Sequence, residues 1–186
     1  MQILEKTRTE IENKINTMSD FLKMEYLEEC SKQNMDLAIK KFCNEKLAEL
    51  YEVKKMFSEA AKRVESVAEM ASTYKDKIQT YINESRLWIR GGDYERADEC
   101  LQKALACASA REREGIKKTV IEIYKAQAQV FTEQNRNSYA LKIYEKLLHI
   151  VSDDEKADIK KKILPLYKKL GKIREYTILS EQISKL

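Results

Sequence analysis

The chain has 186 residues, of which 43% are hydrophobic and 35% are charged, and its net charge is +4. Four glycines and one proline are too few for a turn-rich all-β fold, so we expect a helical protein. No run reaches the roughly 18 apolar residues of a membrane span, and the N-terminus lacks the apolar region of a secretory signal. The sequence therefore predicts an intracellular, cytoplasmic protein.

The residues that most often carry metal or catalytic chemistry are few and scattered. Cys30, Cys43, Cys100 and Cys107 form no CxxC pair, and His149 lies far from all four in sequence. A structural zinc site needs clustered ligands, and a catalytic nucleophile needs a base beside it. We therefore expect reduced core cysteines, no metal, no cofactor and no enzymatic activity.

Residues 1–36 are amphipathic and form the first predicted segment. They could make one long helix or a helix pair split near Thr17, and the sequence leaves both open. The apolar side chains expected to line the buried side of this segment are Ile11, Ile15, Met18, Phe21 and Leu22.

Helical periodicity continues from there to the end of the chain. Apolar residues recur at i, i+4 and i+7 in residues 74–90, 110–134 and 153–170. This spacing predicts helices with one buried and one charged side. We expect nine or ten helices joined by turns so short that neighbouring helices must be antiparallel.

Capping patterns mark where these helices begin and end. Gly91-Gly92 and Gly171 are expected to end helices, because glycine adopts the left-handed conformation without strain. The predicted capping boxes are Ser109 with Glu112 and Ser152 with Glu155, and further caps are expected at Thr17 with Asp20 and at Asp93.

A repeated unit is clearest in residues 78–109. Ala97 and Ala104 are small residues that would let two helices approach closely, and Leu101 fills the apolar position between them. The preceding helix supplies an aromatic, a small and a second aromatic residue, at Tyr81, Ser85 and Trp88. The pattern resembles a tetratricopeptide repeat (TPR), although Glu84 and Ser109 stand where that family usually has Leu and Pro.

The same unit recurs with lower similarity on both sides. Ala60, Ala140 and Tyr176 align with Ala97, at spacings of 37, 43 and 36 residues, whereas the standard period is about 34. Longer, variable helices of this kind are similar to those of SNAP-type vesicle-fusion adaptors and of the helical arms of proteasome-lid-type subunits.

This resemblance implies an all-α fold, a right-handed superhelical stack of antiparallel helix pairs (a TPR-like α-solenoid). Residues 37–186 would hold about four pairs in a single continuous domain, after the N-terminal helix or helix pair of residues 1–36. The implied function is that of a protein–protein interaction scaffold, or an adaptor subunit of a larger assembly. It would bind another protein or peptide in its concave groove or at its C-terminal end.

In this family the first helix of each pair lines the concave surface. By that resemblance, the inward positions of three repeats are Gln79, Asn83, Arg86, Arg90, Glu122, Lys125, Gln129, Lys161, Lys168 and Lys169. In the helix of residues 41–54 the inward positions are Phe42, Glu45, Glu49 and Glu52, and the three glutamates would make the N-terminal end of the groove acidic. Because Glu45 and Glu49 would repel a carboxylate, we do not expect chaperone C-terminal tails to bind. The same residues could equally be ordinary solvated faces of charged helices.

A basic patch near the C-terminus offers an alternative function. Residues 153–186 hold nine Lys or Arg and six Asp or Glu. The lysines could bind RNA or an anionic membrane surface, or they could form a solvated face.

The final predicted helix, about residues 173–185, carries more apolar residues than one stripe needs. These residues are Ile173, Tyr176, Leu179, Ile183 and Leu186. They could dock a partner or a second copy of the chain in a homodimer, or all five could pack inward. In the preceding helix, Pro165 predicts a bend near Lys161–Pro165.

Overall fold

The computed structural model describes residues 3–184, and the regular structure in that range is entirely α-helical. The ten helices found there are α1 (Arg8–Asn16), α2 (Asp20–Lys32), α3 (Leu37–Val53), α4 (Phe57–Glu69), α5 (Tyr74–Gly91), α6 (Tyr94–Cys107), α7 (Ala110–Glu133), α8 (Asn137–Ile150), α9 (Asp153–Lys169) and α10 (Ile173–Ser184). The all-helical prediction is confirmed.

The chain divides into two compact units, Met1–Ile116 and Lys117–Leu186. In the first unit, helices α2 to α6 pack in chain order, each against the next. In the second unit, α8 packs on α9 and α9 packs on α10. Packing between sequence neighbours is the arrangement of an α-solenoid.

One turn geometry recurs four times and shows the repeat directly. Lys55, Gly92, Asn135 and Gly171 have positive φ angles of 61°, 87°, 57° and 69°. Their spacings of 37, 43 and 36 residues equal those predicted for the repeat. The N–H that follows each of them donates, at 2.8 to 3.0 Å, to a carbonyl five residues earlier in the chain. These carbonyls belong to Tyr51, Trp88, Phe131 and Tyr167, so an aromatic residue marks the end of each helix.

The sequence identified only the two glycines among these turn residues. Glycine reaches positive φ without steric cost, whereas Lys55 and Asn135 adopt the same conformation with a side chain present. At all four positions the positive φ angle occurs together with the backbone hydrogen bond that spans the turn and ends the helix. The same turn therefore forms at Lys55 and Asn135, where the sequence has no glycine.

The small residues lie where close approach of helices requires them. Ala60, Ala97 and Ala140, each five residues after a turn residue, are completely buried. The hydroxyl of Ser85 on α5 donates to the Ala97 carbonyl of α6 at 2.9 Å, which ties the Ser85 side chain to the backbone of the next helix. A larger side chain at residue 97 would have to separate them.

The N-terminal segment contains two helices. Thr7 and Glu10 form a capping box at the start of α1, and Thr17 ends that helix. Thr17 was predicted to begin the next helix, but Ser19 takes that position, because Thr17 still bonds the backbone of α1 as its C-terminal cap.

The inward side of α2 also differs from the prediction. Ile11 and Ile15 of α1 are buried as expected, but Phe21 is 71% exposed and Leu22 is also exposed. The buried residues of α2 are Tyr26, Leu27 and Cys30. Phe21 and Leu22 lie in the first turn of the helix, before this buried stretch begins, and so remain in solvent.

The predicted caps are formed in part. Asp93 accepts a bond from the Arg96 N–H at 3.1 Å, as expected. The Ser109 N–H donates to the Glu112 carboxylate at 2.9 Å, which is the carboxylate half of a capping box. Ser152 does not cap the backbone with its side chain, and its hydroxyl donates to Glu155 instead.

Candidate protein-binding groove

The first unit carries a cleft between α3 and α5, which we call the acidic cleft. Its volume is about 280 Å³. Its polar lining consists of Glu45, Glu49 and Glu52 from α3 and of Gln79, Thr80 and Asn83 from α5. Apolar side chains of α3, α4 and α5 complete the lining. The structure thus brings two of the predicted concave residues, Gln79 and Asn83, next to the predicted acidic ones.

Two further predicted residues, Arg86 and Arg90, are bound to Glu52. Arg86 donates two bonds to the Glu52 carboxylate, at 2.6 and 2.8 Å, and also bonds the Asn83 side chain. Arg90 pairs with the same carboxylate and lies over the Phe57 ring, 4.4 Å from its centroid. The bond from Arg86, more than any other contact, lowers the pKa of Glu52. One carboxylate thus binds two guanidinium groups, and this cluster of three side chains keeps a net charge of +1.

The two other carboxylates of the acidic cleft, on Glu45 and Glu49, are both exposed. Glu45 is exposed, and no ion pair to it occurs among residues 3–184. Glu49 is exposed and pairs at 2.8 Å with Lys46 on its own helix, a kind of surface pair that contributes little. Lys46 and the two guanidinium groups on Glu52 together balance the charges of Glu45, Glu49 and Glu52. Phe42, also predicted for this surface, is instead buried in the core, with Arg8 stacked over its ring.

A second cleft, which we call the apolar cleft, lies between α3 and the pair α1 and α2. Its volume is also about 280 Å³. The apolar lining is Ile15, Leu27, Leu50 and Val53, and the polar lining is Glu12, Asn16, Lys23, Lys46 and Glu49. Val53 is 74% exposed. Glu49 lines both clefts, which lie on either side of α3.

The predicted concave residues of α7 are paired within the second unit. Lys125 contacts Glu122 at 2.8 Å and Glu155 of α9 at 2.5 Å. Gln129 donates to Glu133 on its own helix. These contacts leave α7 with a mixed, largely neutralised surface.

The predicted residues of α9 form a basic surface. Lys161, Lys168 and Lys169 are all exposed, and Lys161 lies 3.7 Å from Asp158. Between residues 159 and 174 the chain has seven Lys or Arg and no Asp or Glu. This surface carries a concentrated positive charge.

The predicted docking end on α10 is only partly available. Leu179 is 8% exposed, so it packs inward and offers almost no docking area. Tyr176 and Ile183 are half-buried, and Ile173 is 63% exposed. Leu186 lies outside the described residues. Ile178, which the sequence analysis did not select, is 49% exposed.

The sequence analysis did not identify the buried carboxyl group of Glu84 as a candidate functional group. Glu84 of α5 is 2% exposed, and its carboxylate accepts a bond from the Trp88 indole N–H at 3.1 Å. Burial raises the pKa of Glu84. It lies beside a polar cleft of about 370 Å³ that also includes Glu65 and Lys103, which are paired at 2.9 Å. The only sequence signal was that Glu84 replaces an apolar residue in the repeat pattern.

Within residues 3–184, no cluster of three or more His, Cys, Asp or Glu side chains could hold a metal ion. Cys30, Cys43 and Cys100 are buried with free thiols, and Cys107 is a half-buried free thiol. No helix in the same range is long and apolar enough to cross a membrane.

No protein-family model matches the chain, and no match is found among curated proteins. The crystal structure of BtubC (BKLC) from P. vanneervenii is similar over 94% of this chain and 73% of that chain. The two sequences are 14% identical and the TM-score is 0.38. This likeness is too low to bear on function.

Proposed function

We propose that this chain is a non-enzymatic protein-interaction scaffold or adaptor built of TPR-like helix pairs. The observation that supports this most is the pair of clefts beside α3, one lined mainly by polar side chains and the other in part by four aliphatic ones. Each cleft has a volume of about 280 Å³, which is large enough to take side chains of a partner protein. The recurring turns and buried small residues support the TPR-like assignment.

Affinity capture from the native host, followed by mass spectrometry, tests this proposal if matched variants are compared. Glu45→Arg with Glu49→Arg reverses two charges in the acidic cleft, and both positions are exposed. Lys168→Glu with Lys169→Glu is the matched reversal on α9. We expect a partner that the first variant loses and the second retains. A set of captured proteins that is identical for all three chains would contradict binding at these clefts.

The basic surface of α9 supports a second candidate function, binding of RNA or of an anionic membrane surface. Electrostatic binding of this kind weakens steeply as salt is added. Gel shifts with RNA and sedimentation with phosphatidylserine vesicles, both at about 0.1 M salt, test it. Loss of binding in the Lys168→Glu, Lys169→Glu variant would support this candidate, and no binding by the unmodified chain would exclude it.

We also propose that α10 docks a partner protein or a second copy of this chain. Ile173 and Ile178 carry the exposed apolar area there. Light scattering over a concentration series tests self-association, with Ile178→Glu as the variant. Leu179→Glu is unsuitable, because it would place a charge in the core.

A further inference from the structure

Two buried cysteines meet where α2 packs against α3. Cys30 lies two residues before the end of α2, Cys43 lies in the second turn of α3, and both side chains are completely buried. Their thiols are in hydrogen-bonding contact with each other. The other two cysteines, Cys100 and Cys107, lie seven residues apart on the single helix α6. A helix rises about 1.5 Å per residue, so these two are separated by about 10 Å and cannot be bridged.

The contact between Cys30 and Cys43 suits the formation of a disulfide. A disulfide joins two sulfur atoms at about 2.05 Å, and the two side chains must face each other if the backbone is to stay in place. Cys30 and Cys43 face each other, because each thiol is a hydrogen-bond partner of the other. The hydrogen bond with Cys43 outweighs burial and lowers the pKa of the Cys30 thiol, whereas the same contact and burial raise the pKa of Cys43. Cys30 is therefore the nucleophile of the pair.

The end of α2 gives a small oxidant access to these thiols. Residues 33–36, between α2 and α3, are non-helical and mostly exposed. Tyr26, whose hydroxyl also contacts the Cys30 sulfur, donates at 2.8 Å to the half-buried Glu5. Helix ends open locally at a low free energy, and opening of the last turn of α2 brings Cys30 into contact with solvent.

We infer that Cys30 and Cys43 form a reversible oxidation site, at which hydrogen peroxide converts the two thiols into a disulfide that links α2 to α3. The Cys30 thiolate attacks one peroxide oxygen, the O–O bond breaks, and the departing hydroxide takes up the proton that Cys30 released. The Cys43 sulfur then attacks the sulfur of the resulting sulfenic acid, the S–O bond breaks, and the oxygen leaves with the Cys43 proton as water. Two thiols and one peroxide thus give one disulfide and two water molecules.

The disulfide would join the two helices on opposite sides of the apolar cleft. Leu27 lies three residues before Cys30, Lys46 lies three residues after Cys43, and both line that cleft. Residues three positions apart lie on the same side of a helix. Oxidation therefore fixes the two sides of the cleft to each other, whatever the cleft binds.

Oxidation of the full chain with hydrogen peroxide, followed by denaturation, alkylation of the remaining thiols and mass spectrometry without reductant, tests this inference. We expect a link between the peptides that contain Cys30 and Cys43, and two alkylated thiols instead of four. Treatment with dithiothreitol should restore all four. The oxidised chain should also unfold at a temperature several degrees higher than the reduced chain, because the link restricts the unfolded state.

Two controls distinguish a contact of the folded protein from chance pairing. Oxidation of the chain in guanidinium chloride should favour a link between Cys100 and Cys107, since a shorter loop costs less entropy to close. Cys100→Ala with Cys107→Ala should still give the Cys30–Cys43 link in the folded protein, and Cys43→Ala should give none. The unmodified chain decides the outcome even if a variant does not fold.

Four results would each overturn the inference. These are four free thiols after oxidation, a link at any other pair of cysteines in the folded chain, the same mixture of links from the folded and the unfolded chain, and a lower unfolding temperature of the oxidised chain. The last result would show that the folded contact does not fit a disulfide.

Discussion

At the scale of single residues, Glu84 shows how burial changes an ordinary surface residue. The side chain is buried between α5 and α6 beside Trp88 and Cys100. One carboxylate oxygen bonds the indole, while the other has no hydrogen-bond partner. Burial favours the neutral form, which explains the raised pKa.

This raised pKa predicts a pH dependence of stability. The folded protein holds the Glu84 proton at pH values where the unfolded chain, with a glutamate pKa of about 4.3, has released it. The contribution of protonated Glu84 to folding stability is therefore complete below the unfolded pKa. It is lost as pH rises through the pKa of Glu84 in the folded protein. Glu84→Gln should remove this loss, so the variant gains stability relative to the unmodified chain as pH rises above about 4.3. Urea unfolding at several pH values measures it.

The control for this experiment is Glu99→Gln. Glu99 lies beside the same cleft but is exposed. It should not change how stability depends on pH. Parallel stability curves for Glu84→Gln and the unmodified chain would contradict the prediction.

At the scale of helices, small buried residues and ion pairs hold successive elements together. Ala97 is fully buried, and its carbonyl bonds Ser85 of the preceding helix. Glu52 of α3 receives Arg86 and Arg90 of α5, so charges 34 and 38 residues apart along the chain meet. The Ser85–Ala97 contact holds the two helices of one pair together. The contacts of Glu52 hold α3 of one pair to α5 of the next.

Ala97→Leu is expected to destabilise the protein by roughly 1–3 kcal/mol, because the added methyl groups have no free volume between α5 and α6. Ala106→Leu is a matched control, since Ala106 is an exposed residue of the same helix. Denaturant unfolding of both variants measures the difference. Equal stability of the two variants would show that residue 97 is not at the helix contact.

A double-mutant cycle with Glu52→Gln and Arg86→Gln measures the link between α3 and α5. We expect a coupling energy of about 1 kcal/mol, above that of most surface pairs, because the contact is bidentate and partly buried. Lys62 and Glu59, an exposed pair within α4, provide the comparison and should couple more weakly. A coupling no larger than that of the exposed pair would contradict a structural role for Arg86.

At the scale of the whole molecule, packing follows chain order within each unit. In such arrays stability is approximately a sum of repeat stabilities and nearest-neighbour contacts. A core substitution should therefore act mainly on the unit that contains it.

Leu47→Ala and Ile163→Ala test this expectation. Both residues are fully buried, one in each unit, and each truncation should cost roughly 2–5 kcal/mol locally. Amide hydrogen exchange should accelerate in α2 to α4 for the first variant and in α8 to α10 for the second. Uniform acceleration over the whole chain in both variants would show a single cooperative unit instead.

The sequence by itself determined the helices, their approximate ends and the repeat spacing. These features depend on apolar periodicity, small residues and turn chemistry, all of which act over a few residues. Hence Ala60, Ala97 and Ala140 were identified as equivalent, and the turn residues confirm their spacing.

Only the tertiary structure decided which predicted site residues are available for binding. Arg86 and Arg90 were expected to face a partner, but Glu52 of a different helix binds both. Leu179 was expected at a docking surface but packs inward, and Glu49 lines two clefts that no local pattern indicates. The physical reason is that charge pairing and burial depend on residues that are distant in sequence. A helical pattern shows which side of a helix is polar, but not which charges on that side are already neutralised.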